Sequence, residues 1–396
     1  MPSDFVLWIR DLTGFDLRGQ AVVSALGIVQ IFAWGSTYYL LAVLAEPILR
    51  DTGWSRLGVM GGLSLGLLVA GLAAMRIGRL IQRHGGRWVM GGAMALLALG
   101  LAFLAAAPNL AVYGLGWAVL GLGMGAGLYD AAFSTLGRIK GAQARRAISQ
   151  LTLWGGFAST VCWPISAVLV EALGWRGTCL VYAALHLSVT LPLCLIGIPR
   201  LPAAEVAAAP LVATAPLGRG FWILVTAGTA ISLLVTILSV HLLALLQAQG
   251  LSLAAAVAMG AVIGPSQVGA RLVEMVLGSR AHPVWTMLAA TGLMAVGVAG
   301  LTTALPVAVL LVAYGAGNGI WSIARGALPL VLFAPDNYAV IMGRLAMPAL
   351  LAAALAPVLG AAMIDRLGAG ASLQILAALA LVPVGAAVML WRDMRG

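Results

Sequence analysis

Four ionisable side chains lie deep in stretches that otherwise carry almost no charge. Asp130 follows the run Gly121-Leu-Gly123-Met-Gly125-Ala-Gly127-Leu-Tyr129, Arg271 and Glu274 share a third apolar stretch, and Arg325 follows Gly315-Ala-Gly317-Asn318-Gly319. An ionisable group inside an apolar span costs about 2.5 kcal/mol or more, so each needs a partner, a water-filled cavity or a task. A carboxylate can carry a proton or neutralise a base. An arginine can hold a carboxylate through two parallel N–H groups. Counted from the span ends, Asp130, Arg271 and Arg325 fall at similar depth, about 9 Å from mid-span at 1.5 Å per residue. One arginine could therefore pair with Asp130, leaving net positive charge for an anionic solute.

Each residue also has a plainer reading. Glu274 stands three positions after Arg271 and offers it a local salt bridge, besides being a candidate proton carrier or latch. Arg325 precedes Gly326 and Pro329 and could be a snorkelling anchor. Glu46, next to Pro47, is either a proton-coupling group or a charge at the membrane edge.

The elements that must position these residues follow from composition. Hydrophobic residues are 62% of the 396 and charged residues 9%, against roughly 25% charged in a soluble domain. So few charges cannot cover a water-facing surface, and the lipid bilayer is the solvent that removes the need. The net charge of +10 comes from short clusters between apolar runs, which argues against nucleic acid. Cys162, Cys179 and Cys194 lie in apolar runs without metal spacing, and the histidines are scattered, so neither metal nor cofactor is expected. Gly62-Leu-Ser64-Leu-Gly66 and Gly121-x-Gly123 nominally fit a hydrolase elbow and a dinucleotide loop, but both lack the preceding strand, and no enzymatic cluster is present.

At about 20 residues per crossing, the apolar runs give twelve spans. Residues 1–19 form an N-terminal segment with a short interfacial helix expected around Phe5, Trp8, Ile9 and Leu12. Residues 20–199 form a six-helix bundle, 200–219 an alanine- and proline-rich linker, 220–391 a second bundle, and 392–396 a tail. Of the 22 Lys and Arg, only Arg50, Arg56, Arg176 and Arg366 fall on the face opposite the termini. The positive-inside bias then places both termini in the cytoplasm, with an inner-membrane location expected.

The second bundle echoes the first at an offset of about 194 residues. The glycine run recurs at Gly315, Gly317 and Gly319, Glu171-Ala-Leu-Gly174 recurs as Asp365-Arg-Leu-Gly368, and Ala183-Ala-Leu185 as Ala377-Ala-Leu379. Two six-span halves in parallel orientation are the architecture of secondary transporters, with the solute held near the midplane.

The loop Gly78-Arg-Leu80-Ile-Gln82-Arg83-His-Gly85-Gly-Arg87 resembles the G-x-L-x-D-R-x-G-R-R signature of the major facilitator superfamily, with Gln82 in place of the acid. That resemblance covers essentially the whole chain and implies an all-α fold of twelve transmembrane helices. It makes Gly78, Gln82, Arg83, Gly85 and Arg87 a gating loop whose charge latch lacks its acid. Thr52-Gly-Trp-Ser55, Arg145-Arg146-Ala147 before Gly155-Gly156, and Arg271 are similar to bacterial monocarboxylate-transporter-like members, in which Gln267 would often be an acid. By the same resemblance Tyr38, Tyr39, Tyr129, Thr229, Ser232, Thr236, Asn318, Trp321 and Ser322 would line a cavity, each also readable as helix packing. The expectation is a monomeric secondary active transporter whose partners are protons and a small, monocarboxylate-like anion. The alternative is a proton-driven efflux pump for amphipathic compounds, favoured if Asp130 is unpaired and the arginines are structural.

Overall fold

The computed structural model describes residues 17–141, 144–201, 218–277, 282–333 and 337–394. The expected interfacial helix around Phe5 to Leu12 and most of the linker lie outside these residues. Every regular element described is helical, as it must be where lipid cannot satisfy a backbone N–H or C=O.

Nine stretches among the described residues are long and apolar enough to cross a membrane. Two of these, Ala144–Gly197 and Tyr338–Asp393, each turn at a glycine with non-helical backbone, Gly174 (φ 68°) and Gly368 (φ 80°), and so hold two crossings apiece. The remaining crossing is interrupted at Val262, between Leu253–Ala261 and Ile263–Leu277. Twelve spans result. The two turns are counterparts in the repeat, and both use the left-handed conformation that a side chain disfavours.

Lipid is as apolar as leucine, so the helices associate by close approach rather than by exclusion from water. Glycines of the fourth span supply it: a Cβ on Gly121 would strike the backbone of Gly66 in span two, and one on Gly123 would meet Leu97 in span three. Their counterparts do the same in the second half. A Cβ on Gly315 would meet Ser266 and Ile263 of span eight, and one on Gly317 would meet Ala290 and Met294 of span nine. The glycine runs are thus packing ridges set in the same arrangement twice.

Two apolar cores result. One runs from Val22 to Ile198 and takes in Leu330, Tyr338, Ala339, Met342, Ala353 and Ala354 of the second half. The other runs from Ile223 to Leu390. The halves meet close to the face that carries the turn at Gly85 and the helix ends at Lys140, Ala144, Leu332 and Tyr338, called here the terminal face. Gly78 abuts Ala339 and Gly343, Gly71 abuts Leu350 and Leu351, and Gly137 abuts Tyr338.

Several spans are discontinuous. The first breaks between Leu17–Gly35 and Leu40–Thr52. The fourth breaks at Leu128, between Leu110–Gly127 and Tyr129–Lys140. The fifth breaks at Phe157, between Ala144–Gly156 and the helix starting at Ala158. The sixth carries a π-helical turn, His186–Thr190. Broken helices at membrane depth persist only where protein satisfies the freed groups. Gln30 does so at the fourth span, donating from Nε2 to the Gly127 carbonyl at 2.7 Å while its Oε1 accepts from Trp34 Nε1 at 3.2 Å.

Candidate solute and proton site

The break at Leu128 puts Asp130 in the first turn of a new helix, where the helix dipole favours a negative charge. Its carboxylate receives Arg325 from the tenth span, a partner in the other half. The pair is partly shielded, with side-chain exposures of 24% and 32%. Arg325 also approaches the ring of Phe133, 6.0 Å from its centroid.

Arg271 has a different environment. It is 5% exposed and makes hydrogen bonds only to neutral groups. Its Nε donates to the Gly319 carbonyl at 3.2 Å and to Ser322 Oγ at 3.1 Å. Nη1 donates to the Thr152 carbonyl of span five at 3.1 Å, and Nη2 to Gln267 Oε1 at 3.4 Å. A guanidinium has five N–H groups, so one on each terminal nitrogen is left over. Among the described residues no carboxylate lies within ion-pair distance of it. The local bridge to Glu274 does not form: Glu274 accepts from Thr286 Oγ1 at 2.7 Å and pairs with Arg145 of span five at 3.6 Å. The side chains at 271 and 274 both reach span five, at Thr152 and Arg145 respectively, but Arg271 turns otherwise toward span ten and Glu274 toward span nine.

Aromatic residues close this site on the side of the first half. The Tyr129 hydroxyl donates to Thr152 O at 3.3 Å, the same carbonyl that Arg271 uses. Tyr38 lies beside Thr236 and Ser239 of span seven. Trp321 and Ser322 are buried and Asn318 is half-buried on span ten. Ser232 donates to the Ala349 carbonyl at 2.7 Å, a bond within the second half, and Thr229 Oγ1 is buried without a hydrogen bond among the described residues.

The other candidates lie elsewhere. Glu46 is near the turn between spans one and two, in an exposed ion pair with Arg56 at 2.5 Å. In the loop after span two, Gly85 (φ 78°) ends the helix and Gly78 permits the approach of span eleven. Arg83 is exposed, Gln82 and Arg87 are half-buried, and Arg87 lies 5.8 Å over the Trp88 ring. Arg138 of span four donates to the Ile81 carbonyl at 2.8 Å. An arginine here caps the end of span two directly, at the position next to the missing acid.

Several residues of the site escaped sequence reasoning. Thr152 contributes a backbone carbonyl, which no side-chain pattern announces. Gln30 and Trp34 carry the signal of polar and aromatic groups four apart on span one, and Gln267 precedes Arg271 by one turn. Ser36, His186 and Thr190 form a buried chain: Ser36 Oγ is 2.7 Å from His186 Nε2, and His186 Nδ1 is 2.8 Å from Thr190 Oγ1. At the terminal face His282 caps span nine, its Nδ1 accepting from Val284 N at 3.2 Å. Partial burial, helped by nearby Arg145, pushes the His282 pKa down.

Two six-span halves related by an internal repeat, with charged residues enclosed where they meet, define a multi-pass membrane protein of transporter architecture. The sequence profile described as Major Facilitator Superfamily matches residues 26–324, about three quarters of the chain, and the chain belongs to that superfamily. Over 158 residues it is 30% identical to a protein of Pseudomonas aeruginosa named transcription regulatory protein OpdE. That match covers 39% of this chain and 39% of the relative. The fold is similar to that of the human organic anion transporter MFSD10 (TETRAN), with TM-score 0.76 and 16% identity over 93% of this chain and 99% of that one. It is also similar to FucP in its outward conformation, with TM-score 0.72 and 14% identity over 93% and 98% of the two chains. The proton:xylose symporter XylE gives TM-score 0.72 and 13% identity over 94% and 95%.

Proposed function

We propose that the protein carries a small organic anion, monocarboxylate-like, across a bacterial inner membrane by alternating access, acting as a monomer with both termini in the cytoplasm. The observation that carries this reading is Arg271. A buried cation without a counter-charge is costly by several kcal/mol, and its two remaining N–H groups suit a bidentate carboxylate. Arg325 is neutralised by Asp130 and is not available in the same way. Asp130 is the proposed proton carrier: protonation would release Arg325, loosen the contact between halves and tie proton movement to the change of access. The pairing of Asp130 with Arg325 speaks against one of the two conditions that favour an efflux pump, an unpaired Asp130.

Uptake of a panel of labelled carboxylates into proteoliposomes, with and without an inward proton gradient, tests this directly. Wild type should accumulate at least one carboxylate, faster with the gradient. Arg271→Ala should abolish uptake, and Asp130→Asn should remove the response to the gradient. Export of cationic dyes without carboxylate uptake would overturn the reading. A second reading draws on the name of the Pseudomonas relative: a solute sensor of the same fold. It requires carboxylate binding to purified protein with no flux in the same vesicles.

A further inference from the structure

We propose that the solute is an aromatic monocarboxylate, its carboxylate on Arg271 and its ring among Trp34, Tyr38, Tyr39, Tyr129 and Trp163. This inference rests on the anion-transport reading and names the substrate class of that same site.

These rings form one connected group contributed by spans one, four and five. Trp34 has its ring centroid 5.4 Å from Tyr38, 6.0 Å from Tyr39 and 5.2 Å from Tyr129. Tyr39 stands edge-on to Tyr38 at 5.6 Å and to Trp163 at 6.2 Å, with interplanar angles of 86° and 87°. Mutual packing alone would close such a cluster. Tyr113 and Trp117 illustrate that case, 6.3 Å apart with exposures of 1% and 0%. The group near Arg271 is partly open instead: Trp34, Tyr38 and Tyr39 are half-buried and Trp163 is 44% exposed, whereas Tyr129 is 7% exposed and stacked on Phe133 at 5.2 Å, forming the floor of the group. Ring faces are therefore available beside a cation that lacks an anion.

The polar groups point the same way. The Tyr39 hydroxyl has no hydrogen bond among the described residues, and Tyr129 anchors its own to Thr152 O alongside Arg271. A planar ring carrying one carboxylate meets both features at once, donors at one end and edge-to-face or stacked contacts at the other. An aliphatic acid of the same size would use the arginine and forgo the ring interactions. Each such contact favours the aromatic ring by a few-fold beyond burial, so two amount to a preference of about tenfold, roughly 1.4 kcal/mol. One unopposed arginine also sets the charge at one.

The test compares benzoate with cyclohexanecarboxylate, which matches it in charge and ring size, by calorimetric titration of the full chain in nanodiscs at pH 7.5. Benzoate should bind about tenfold more tightly. Arg271→Ala should abolish both, Tyr39→Leu should shrink the preference, and Tyr39→Phe should largely keep it. Equal affinities for the two acids, both lost with Arg271→Ala, would overturn the aromatic assignment and leave the anion reading standing. Binding of neither acid, nor of acetate or propionate, would overturn the anion reading and this inference with it. The wild-type ratio decides the matter even where a variant does not fold.

Discussion

Asp130 and Arg325 occupy corresponding stretches of the two repeats, one position out of step, and they bond to each other across the halves. The two copies of the repeated span thus carry opposite charges at neighbouring positions, and these charges meet in the contact between halves. The pair bridges the side of the molecule where the halves already touch through Gly78 and Ala339.

That relationship predicts a measurable coupling. Asp130→Asn and Arg325→Gln should each lower the unfolding midpoint in detergent, and the double variant should lose less than the sum. The interaction energy expected for a contacting charged pair is about 0.5–3 kcal/mol, toward the low end here because both side chains are partly exposed. Additive losses would mean that the pair contributes no net stability.

The turns at Gly174 and Gly368 should behave alike. A Cβ at either meets nothing within 4 Å, so Gly174→Ala and Gly368→Ala are opposed only by the positive-φ, extended-ψ backbone, at about 1–3 kcal/mol each. Gly121→Ala should behave differently, because its methyl enters the backbone of Gly66, and overpacking of that kind costs about 1–3 kcal/mol with displacement of the helices. Thermal midpoints of the three variants, with a check on helix packing by cross-linking of spans two and four, distinguish strain from collision.

His282 predicts a pH effect. Its folded pKa lies below the ordinary 6.5, so the folded state binds the proton less readily than the unfolded one. The stabilisation from its cap is present above about pH 6.5 and is lost as pH falls through the depressed value. His282→Asn retains a capping acceptor that does not titrate, and should flatten this part of the stability profile between pH 7 and 5. An unchanged profile would assign the pH response to other groups.

Ser36, His186 and Thr190 form a closed polar chain that the proposed proton route does not use. His186→Phe leaves Ser36 and Thr190 without their shared partner and should cost about 1–3 kcal/mol. The gradient dependence of uptake should persist in the folded fraction of this variant. Its loss would move proton coupling from Asp130 to His186.

Much of the architecture was legible because it follows from one-dimensional quantities. Span number comes from apolar length, and the repeat comes from glycine spacing that recurs as packing spacing, with Gly121 and Gly315 in matching contacts. Depth suggested a cluster of Asp130, Arg271 and Arg325; the structure pairs Arg325 with Asp130 and seats Arg271 one turn away on span ten, at Gly319 and Ser322. Azimuth was not legible. Which arginine turns toward Asp130 depends on the rotation of span eight against span ten, and that rotation is set by contacts such as Gly319 against Gln267. The same limit explains Glu274: three residues from Arg271 in sequence, it pairs with Arg145 instead. The break at Leu128 was hidden too, because it has no proline and its glycines read equally well as a ridge.

The Thr152 carbonyl serves Tyr129 from its own half and Arg271 from the other. If the halves separate as the proposed alternating access requires, Arg271 would withdraw while the carbonyl would keep the tyrosine. On their return the arginine would find an acceptor already held in place. Such an acceptor is a mooring with a permanent line and a removable one, and it would spare the backbone of span five a rearrangement in each cycle.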